Sequence, residues 1–283
     1  MLYVSPDRPV DPLTLAVLEV VASVAGKLDL PWFVAGAMVR NIVLTGVFGL
    51  DSGRATRDID LAVAVADWEQ FVELKRQLLS TGHFQEIKGV PHKLNYKRAA
   101  DNSGYPFDII PFGGVEGKSQ SITWPPDMNE IMSVAGYKEA YATAVEVEVQ
   151  PGLIARVASL PGLAVLKIFV WHDRGREDPR DAIDLATLFR RYADAGNMER
   201  LYGSAISVLQ DVDYQLQLAG PRLLGCDVRA TFSASTVERA REIISKNEDR
   251  LITDIARGLL NANESVAEAE LLLEQFRAGL EGR

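Results

Sequence analysis

Asp58 and Asp60, one residue apart in Thr56-Arg57-Asp58-Ile59-Asp60-Leu61-Ala62-Val63, are the residues whose types and spacing point most directly to chemistry. Side chains on a strand alternate with period two, so Ile59, Leu61 and Val63 share one face and the two aspartates the other. Carboxylates held that close repel and raise each other's pKa unless a cation lies between them. An oxygen-only pair suits Mg2+, a hard ion that takes one or two carboxylates together with substrate phosphates. The competing reading is a solvated strand face.

A second strand-like run, Phe107-Asp108-Ile109-Ile110, embeds one acid among apolar residues. A lone buried carboxylate is expensive unless paired, protonated or metal-bound. If this strand lies beside the first, Asp108 completes a three-carboxylate cluster; an edge-strand aspartate reaching water is the alternative. Upstream, Phe33-Val34-Ala35-Gly36-Ala37-Met38-Val39-Arg40 puts a glycine where a strand turns into a helix. Backbone N–H groups at such a junction favour phosphate, and Gly36 lets it approach. Arg40, one turn in, adds a possible charge-assisted contact.

Gly36, then Asp58-Ile59-Asp60, then Asp108 resembles the DNA polymerase β-like nucleotidyltransferase superfamily, with Ala37 where a second Gly or Ser is usual and GVFGLDSGRA as an insertion. Further along, Ser159-Leu160 through Lys167, then Asp173-Arg174-Gly175, then Arg180-Asp181-Ala182-Ile183-Asp184-Leu185 is similar to the AbiE-type (AbiEii-like) abortive-infection toxin nucleotidyltransferases. The resemblance runs from about Trp32 to Phe189, and Arg180 stands where that family usually has Lys. It implies that Lys167 contacts the nucleotide triphosphate. It also implies that Asp184 supports the active-site floor or binds acceptor or metal. Asp178, Pro179 and Asp181 are explained by helix capping alone.

The elements that must position these residues can be read coarsely. Asp11-Pro12 opens an amphipathic helix to about Leu28. Trp32–Val34 is a short strand and Met38–Thr45 a helix. Arg57–Val65 is a strand and Trp68–Leu79 a helix. Phe84–Ile87, Lys93–Arg98, Pro106–Phe112 and Ala144–Val149 are strand-like. From Leu160 the periodicity turns helical, over Leu160–His172, Asp178–Arg191, Gln215–Leu224, Ser235–Lys246 and Glu264–Leu280. The expected fold class is α+β: a minimal mixed nucleotidyltransferase sheet with flanking helices over 1–158, then an all-α domain over 159–283.

Composition limits the alternatives. The chain has 283 residues, 47% hydrophobic and 24% charged, with a net charge of −9, which suits a globular protein rather than a polybasic coat for nucleic acid. Lys88, Lys93, Lys97 and Arg98, with Tyr96 among them, could still line an acceptor groove, although a solvated strand face explains them as well. The single cysteine, Cys226, excludes an internal disulfide and fits a reducing compartment. The start lacks a signal-peptide pattern, and the longest apolar stretches, Leu13–Ala25 and Leu163–Trp171, are too short to span a bilayer. A soluble cytoplasmic protein is expected. His83, His92 and His172 lack metal-ligand spacing, and no Walker A, G-x-G-x-x-G or G-x-S-x-G motif occurs.

These residues together imply a Mg2+-dependent enzyme that transfers NMP from an NTP to a hydroxyl acceptor. Asp58 and Asp60 would hold two ions, Asp108 would serve the acceptor side, and Gly36, Arg40 and Lys167 would steer the phosphates. The acceptor is an RNA or tRNA end, a protein, or a small molecule of the antibiotic type. By resemblance an antitoxin partner is expected. The rival is a non-catalytic relative that binds nucleotide or a protein partner.

Overall fold

The computed structural model describes residues 1–54, 56, 58–97, 104–117, 119–126, 128, 131–174, 178–259 and 265–283. They form two compact units, Met1–Val47 with Ala55–Ala158 and Phe48–Arg54 with Ser159–Arg283. The first is mixed α/β and the second helical. Among the described residues no helix is long and apolar enough to cross a membrane.

The strands of the first unit are β1 (Leu2–Tyr3), β2 (Trp32–Ala35), β3 (Ile59–Val65), β4 (Phe84–Glu86), β5 (Lys93–Tyr96), β6 (Tyr105–Gly113), β7 (Ser121–Thr123), β8 (Ile131–Ser133), β9 (Val145–Gln150) and β10 (Leu153–Val157). Eight of them make one sheet in the order β1-β9-β10-β2-β3-β6-β5-β4, while β7 and β8 pair separately. The sheet is mixed: β3 runs parallel to β6 but antiparallel to β2, and β5 antiparallel to β6. In β3, Ile59, Leu61, Val63 and Val65 are buried while Asp60 is half-buried, the alternation that the β-branched run dictates.

Two capped helices flank this sheet. Asp11 accepts from the Leu13 and Thr14 amides and opens Pro12–Lys27; Asp67 accepts from the Gln70 amide and opens Trp68–Ser80. The second helix contacts the first, β3 and β4, and buries Phe71, Leu74 and Leu78. On the aspartate face, Phe33 stands opposite Ala62 and Phe112 opposite Ala64. Their rings meet edge-on at 5.9 Å and pack with Tyr137 and Tyr141 of the helix Tyr137–Ala142. Aromatic rings therefore cover this face on the side of β3 beyond Asp60.

Several elements differ from the sequence reading. The helix expected over Met38–Thr45 is a short α-helix, Met38–Arg40, running into a π-helical segment, Asn41–Val47. Ile42, Val43 and Gly46 are weak α formers, which lowers the cost of the wider turn. Strands β1, β7, β8 and β10 went unread. For β10 a signal existed: Pro151-Gly152 between two apolar alternating runs is a hairpin connection.

In the helical unit the helix expected to end at Leu224 continues through Leu216–Thr231. Gly225 looks like a C-cap but is a packing residue. A Cβ there would run into the Phe276 carbonyl, and a Cβ on Gly279 would run into that of Arg222. The helices Leu216–Thr231 and Ser265–Glu281 thus cross backbone to backbone. Phe189 of the helix Arg180–Arg191 seats its ring 5.0 Å from that of Phe276.

Candidate active site

Strand register assembles the candidate site. Ala35 of β2 stands opposite Asp60 of β3, Asp60 opposite Asp108 of β6, and Asp108 opposite Lys93 of β5. Directly opposed residues point to the same face, so Asp60, Asp108 and Lys93 form a transverse row of two acids and a base. Asp108 is largely shielded, and its Oδ2 lies 3.5 Å from the Lys93 ammonium, which is about one-third exposed.

Gly36 follows β2 at the end of this row. Its φ is +66°, a left-handed conformation, and a Cβ would fall within the carboxylate of Asp60. The glycine therefore makes room for Asp60 as well as permitting the turn. Gly36→Ala is expected to lower stability by about 1–2 kcal/mol from backbone strain and to displace the Asp60 carboxylate. Thermal unfolding with and without Mg2+ and nucleotide checks both parts.

Asp58 is half-buried and lies one residue before the first β3–β6 pair, Ile59 with Phe107. The strand ladder that fixes Asp60 and Asp108 does not extend to it. Among the described residues no three His, Cys, Asp or Glu side chains gather as a metal site. Asp60 and Asp108 are a pair in register, with Asp58 just ahead on the same chain. Arg57, Arg98 and Gly175 of the sequence reading lie outside the described residues. The donor set of the pair fits Mg2+: both side chains offer only oxygen, on one face of adjacent strands.

Arg40, expected to contact phosphate, is fully buried. The helical turn that carries it also buries Met38, Val39, Ile42, Val43 and Leu44.

Lys167 and Asp184 belong to the helical unit, where they form a buried ion set. The Lys167 ammonium lies 2.6 Å from Asp181 Oδ1 and 2.7 Å from Asp184 Oδ2, and both acids are almost wholly buried. Arg54 donates from Nε to Asp184 Oδ1 at 2.9 Å and from Nη2 to Oδ2 at 3.1 Å. Arg174 donates to Asp181 Oδ2 at 2.9 Å. Asp181, explained from sequence as a capping residue, is therefore a core counter-ion. Arg54 was missed altogether: its partner lies 130 residues away, and no local pattern announces such a pair.

Nearby, Asp178 accepts from the backbone N–H and guanidinium of Arg180. The Arg180 guanidinium holds the Asp178 carboxyl down to about 2. A lowered folded-state pKa stabilises above the unfolded value near 4 and is lost as pH falls through the folded value. Between pH 4 and 2, Asp178→Asn should therefore flatten the acid limb of stability, as urea unfolding across that range would reveal.

A family model described as nucleotidyl transferase AbiEii toxin, type IV TA system, matches residues 24–249. No curated protein matches the chain in sequence. Three solved structures resemble it at low identity. An antigenic nucleotidyltransferase-like protein from Paracoccidioides brasiliensis is 15% identical, with 76% of this chain and 94% of that one covered, at a TM-score of 0.44. The antibiotic-resistance factor ANT(2'')-Ia is 14% identical, with coverage of 72% and 97% and a TM-score of 0.39. A Thermotoga maritima CCA-adding enzyme complexed with tRNA is 14% identical, with coverage of 98% and 82% and a TM-score of 0.27.

Proposed function

The chain belongs to the AbiEii nucleotidyl transferase toxin family of type IV toxin–antitoxin systems, and on that premise we propose that it transfers NMP from an NTP to a hydroxyl acceptor at the Asp60–Asp108 row. The observation that carries this reading is the register itself. Two carboxylates sit directly opposite on adjacent strands, beside a glycine whose missing side chain lets the Asp60 carboxylate take its place in the row. Like charges in that position disfavour the sheet, and a nearby cation relieves the repulsion, a role that Lys93 fills at Asp108 and that a divalent ion would fill between the pair.

In this mechanism Asp60 and Asp108, with Asp58 from the adjoining segment, would hold Mg2+, two ions in the fullest form of the site. Bound there, Mg2+ would neutralise charge on the triphosphate and lower the pKa of the attacking hydroxyl. Asp108 accepts the proton of the acceptor hydroxyl through a carboxylate oxygen. The hydroxyl oxygen bonds to the α-phosphorus, the bond from that phosphorus to the bridging oxygen breaks, and pyrophosphate leaves. The backbone at Gly36 brings phosphate close to the row. Lys167 and Asp184 act from within the ion set of the helical unit. Buried Arg40 supports the turn that carries Gly36.

An NTP donor makes the cytoplasm the natural compartment, and family membership makes an antitoxin the natural partner. The acceptor is an RNA end such as tRNA, a protein, or an antibiotic-like small molecule. The test is thermal unfolding with each NTP, with and without Mg2+, followed by transfer of label from the stabilising NTP to RNA, protein and small-molecule pools. A Mg2+-dependent shift for at least one NTP and label in one pool support the reading. A nucleotide shift without transfer to any pool favours a non-catalytic nucleotide-binding relative.

A further inference from the structure

Resting on the acid row as a divalent-cation site, we propose that Lys93 is the resident counter-ion of that row, holding Asp108 until a divalent cation takes its place. Asp60 and Asp108 face each other across the β3–β6 ladder, a placement that penalises two like charges. Lys93 stands opposite Asp108 on the other side, so its ammonium continues the row with compensating charge.

The geometry of this pair differs from that of Lys167 and its two aspartates. Lys167 lies within 2.7 Å of two buried carboxylates and is almost fully enclosed, an arrangement that locks it. Lys93 is 3.5 Å from its acid, beyond the usual contact of a charge-assisted hydrogen bond, with both partners reached by solvent. A lysine on a flexible stem, loosely paired and partly hydrated, can swing away at little cost. A divalent ion between the carboxylates repels the ammonium and takes over its neutralising role. Once displaced, the ammonium is a nearby positive charge for the phosphates of the incoming nucleotide. Lys93 is accordingly a positioning residue: it keeps the acid row assembled when no metal is there, at the expense of metal affinity.

The experiment titrates MgCl2 alone into the full-length protein and reads the half-saturating concentration from thermal unfolding, with calorimetry as a second readout. Lys93→Met is expected to lower that concentration roughly threefold to tenfold, the scale of one partly solvated unit charge acting on a divalent ion. Lys93→Arg, which keeps the charge, is expected to stay within about twofold of wild type. Lys93→Gln provides the same comparison if Met at this position impairs folding. An unchanged or weakened response in both neutral variants overturns the proposal while leaving the acid row as the site. A wild type whose melting is unmoved by magnesium, with or without NTP, overturns the site reading and the proposal with it.

Discussion

Asp60→Asn should leave the protein folded while removing transfer, by about a thousandfold or more given the part a metal-holding carboxylate plays in stabilising a phosphoryl transition state. The substitution is nearly isosteric and stays within the volume that Gly36 leaves open beside the side chain. It also relieves a like-charge contact with Asp108, so the variant should melt at the same temperature as wild type or slightly higher; opposed pairs of this kind account for about 0.2–1 kcal/mol. What it should lose is the ligand response. At an NTP concentration near 100 times its dissociation constant, wild type gains about 2.7 kcal/mol in the presence of Mg2+, and the variant gains none. An Asp60→Asn protein that still transferred label at a tenth of the wild-type rate would exclude this row as the reaction centre.

Lys167→Met should act on stability first. Removing one partner of a buried ion pair costs about 3–5 kcal/mol because the other charge is left uncompensated. Here Asp184 keeps Arg54 and Asp181 keeps Arg174, so a value near the lower limit, about 3 kcal/mol, is expected. For a chain of this size that is a fall of roughly 6–12 °C in melting temperature. Adding Asp181→Asn to Lys167→Met should recover part of the loss, since the two residues interact directly. A Lys167→Met protein with wild-type melting and no nucleotide response would instead assign Lys167 to the triphosphate, as the resemblance implied.

The legible parts of this chain were those written in short-range periods. Asp58 and Asp60 stood out because Ile59, Leu61 and Val63 fixed the phase of the strand, and Asp108 because its neighbours were apolar. The helix start at Asp11 followed from capping chemistry. What could not be read was register. That Asp60 pairs with Asp108, and Asp108 with Lys93, depends on which strands become neighbours, and a shift of one residue would have turned every acid to the other face. Lys167 was visibly out of place on an apolar helix, yet nothing local identified Asp181, Asp184 and Arg54 as its company. The helix expected over Gln215–Leu224 runs on to Thr231 past Gly225, and a glycine that ends a helix and one that lets two helices touch look alike in sequence.

The helical unit is not one uninterrupted stretch of chain. Residues Phe48–Arg54, encoded far upstream, belong to it, and through Arg54 they neutralise Asp184 in its interior. In genetic terms, a recombination event that joined the first 158 residues of one relative to the remainder of another would separate this arginine from the aspartate with which it was selected. Such chimeras carry a buried charge mismatch whenever the two parents differ at either position. Arg54 and Asp184 should therefore be inherited as a pair, changing together or not at all, despite the distance between their codons.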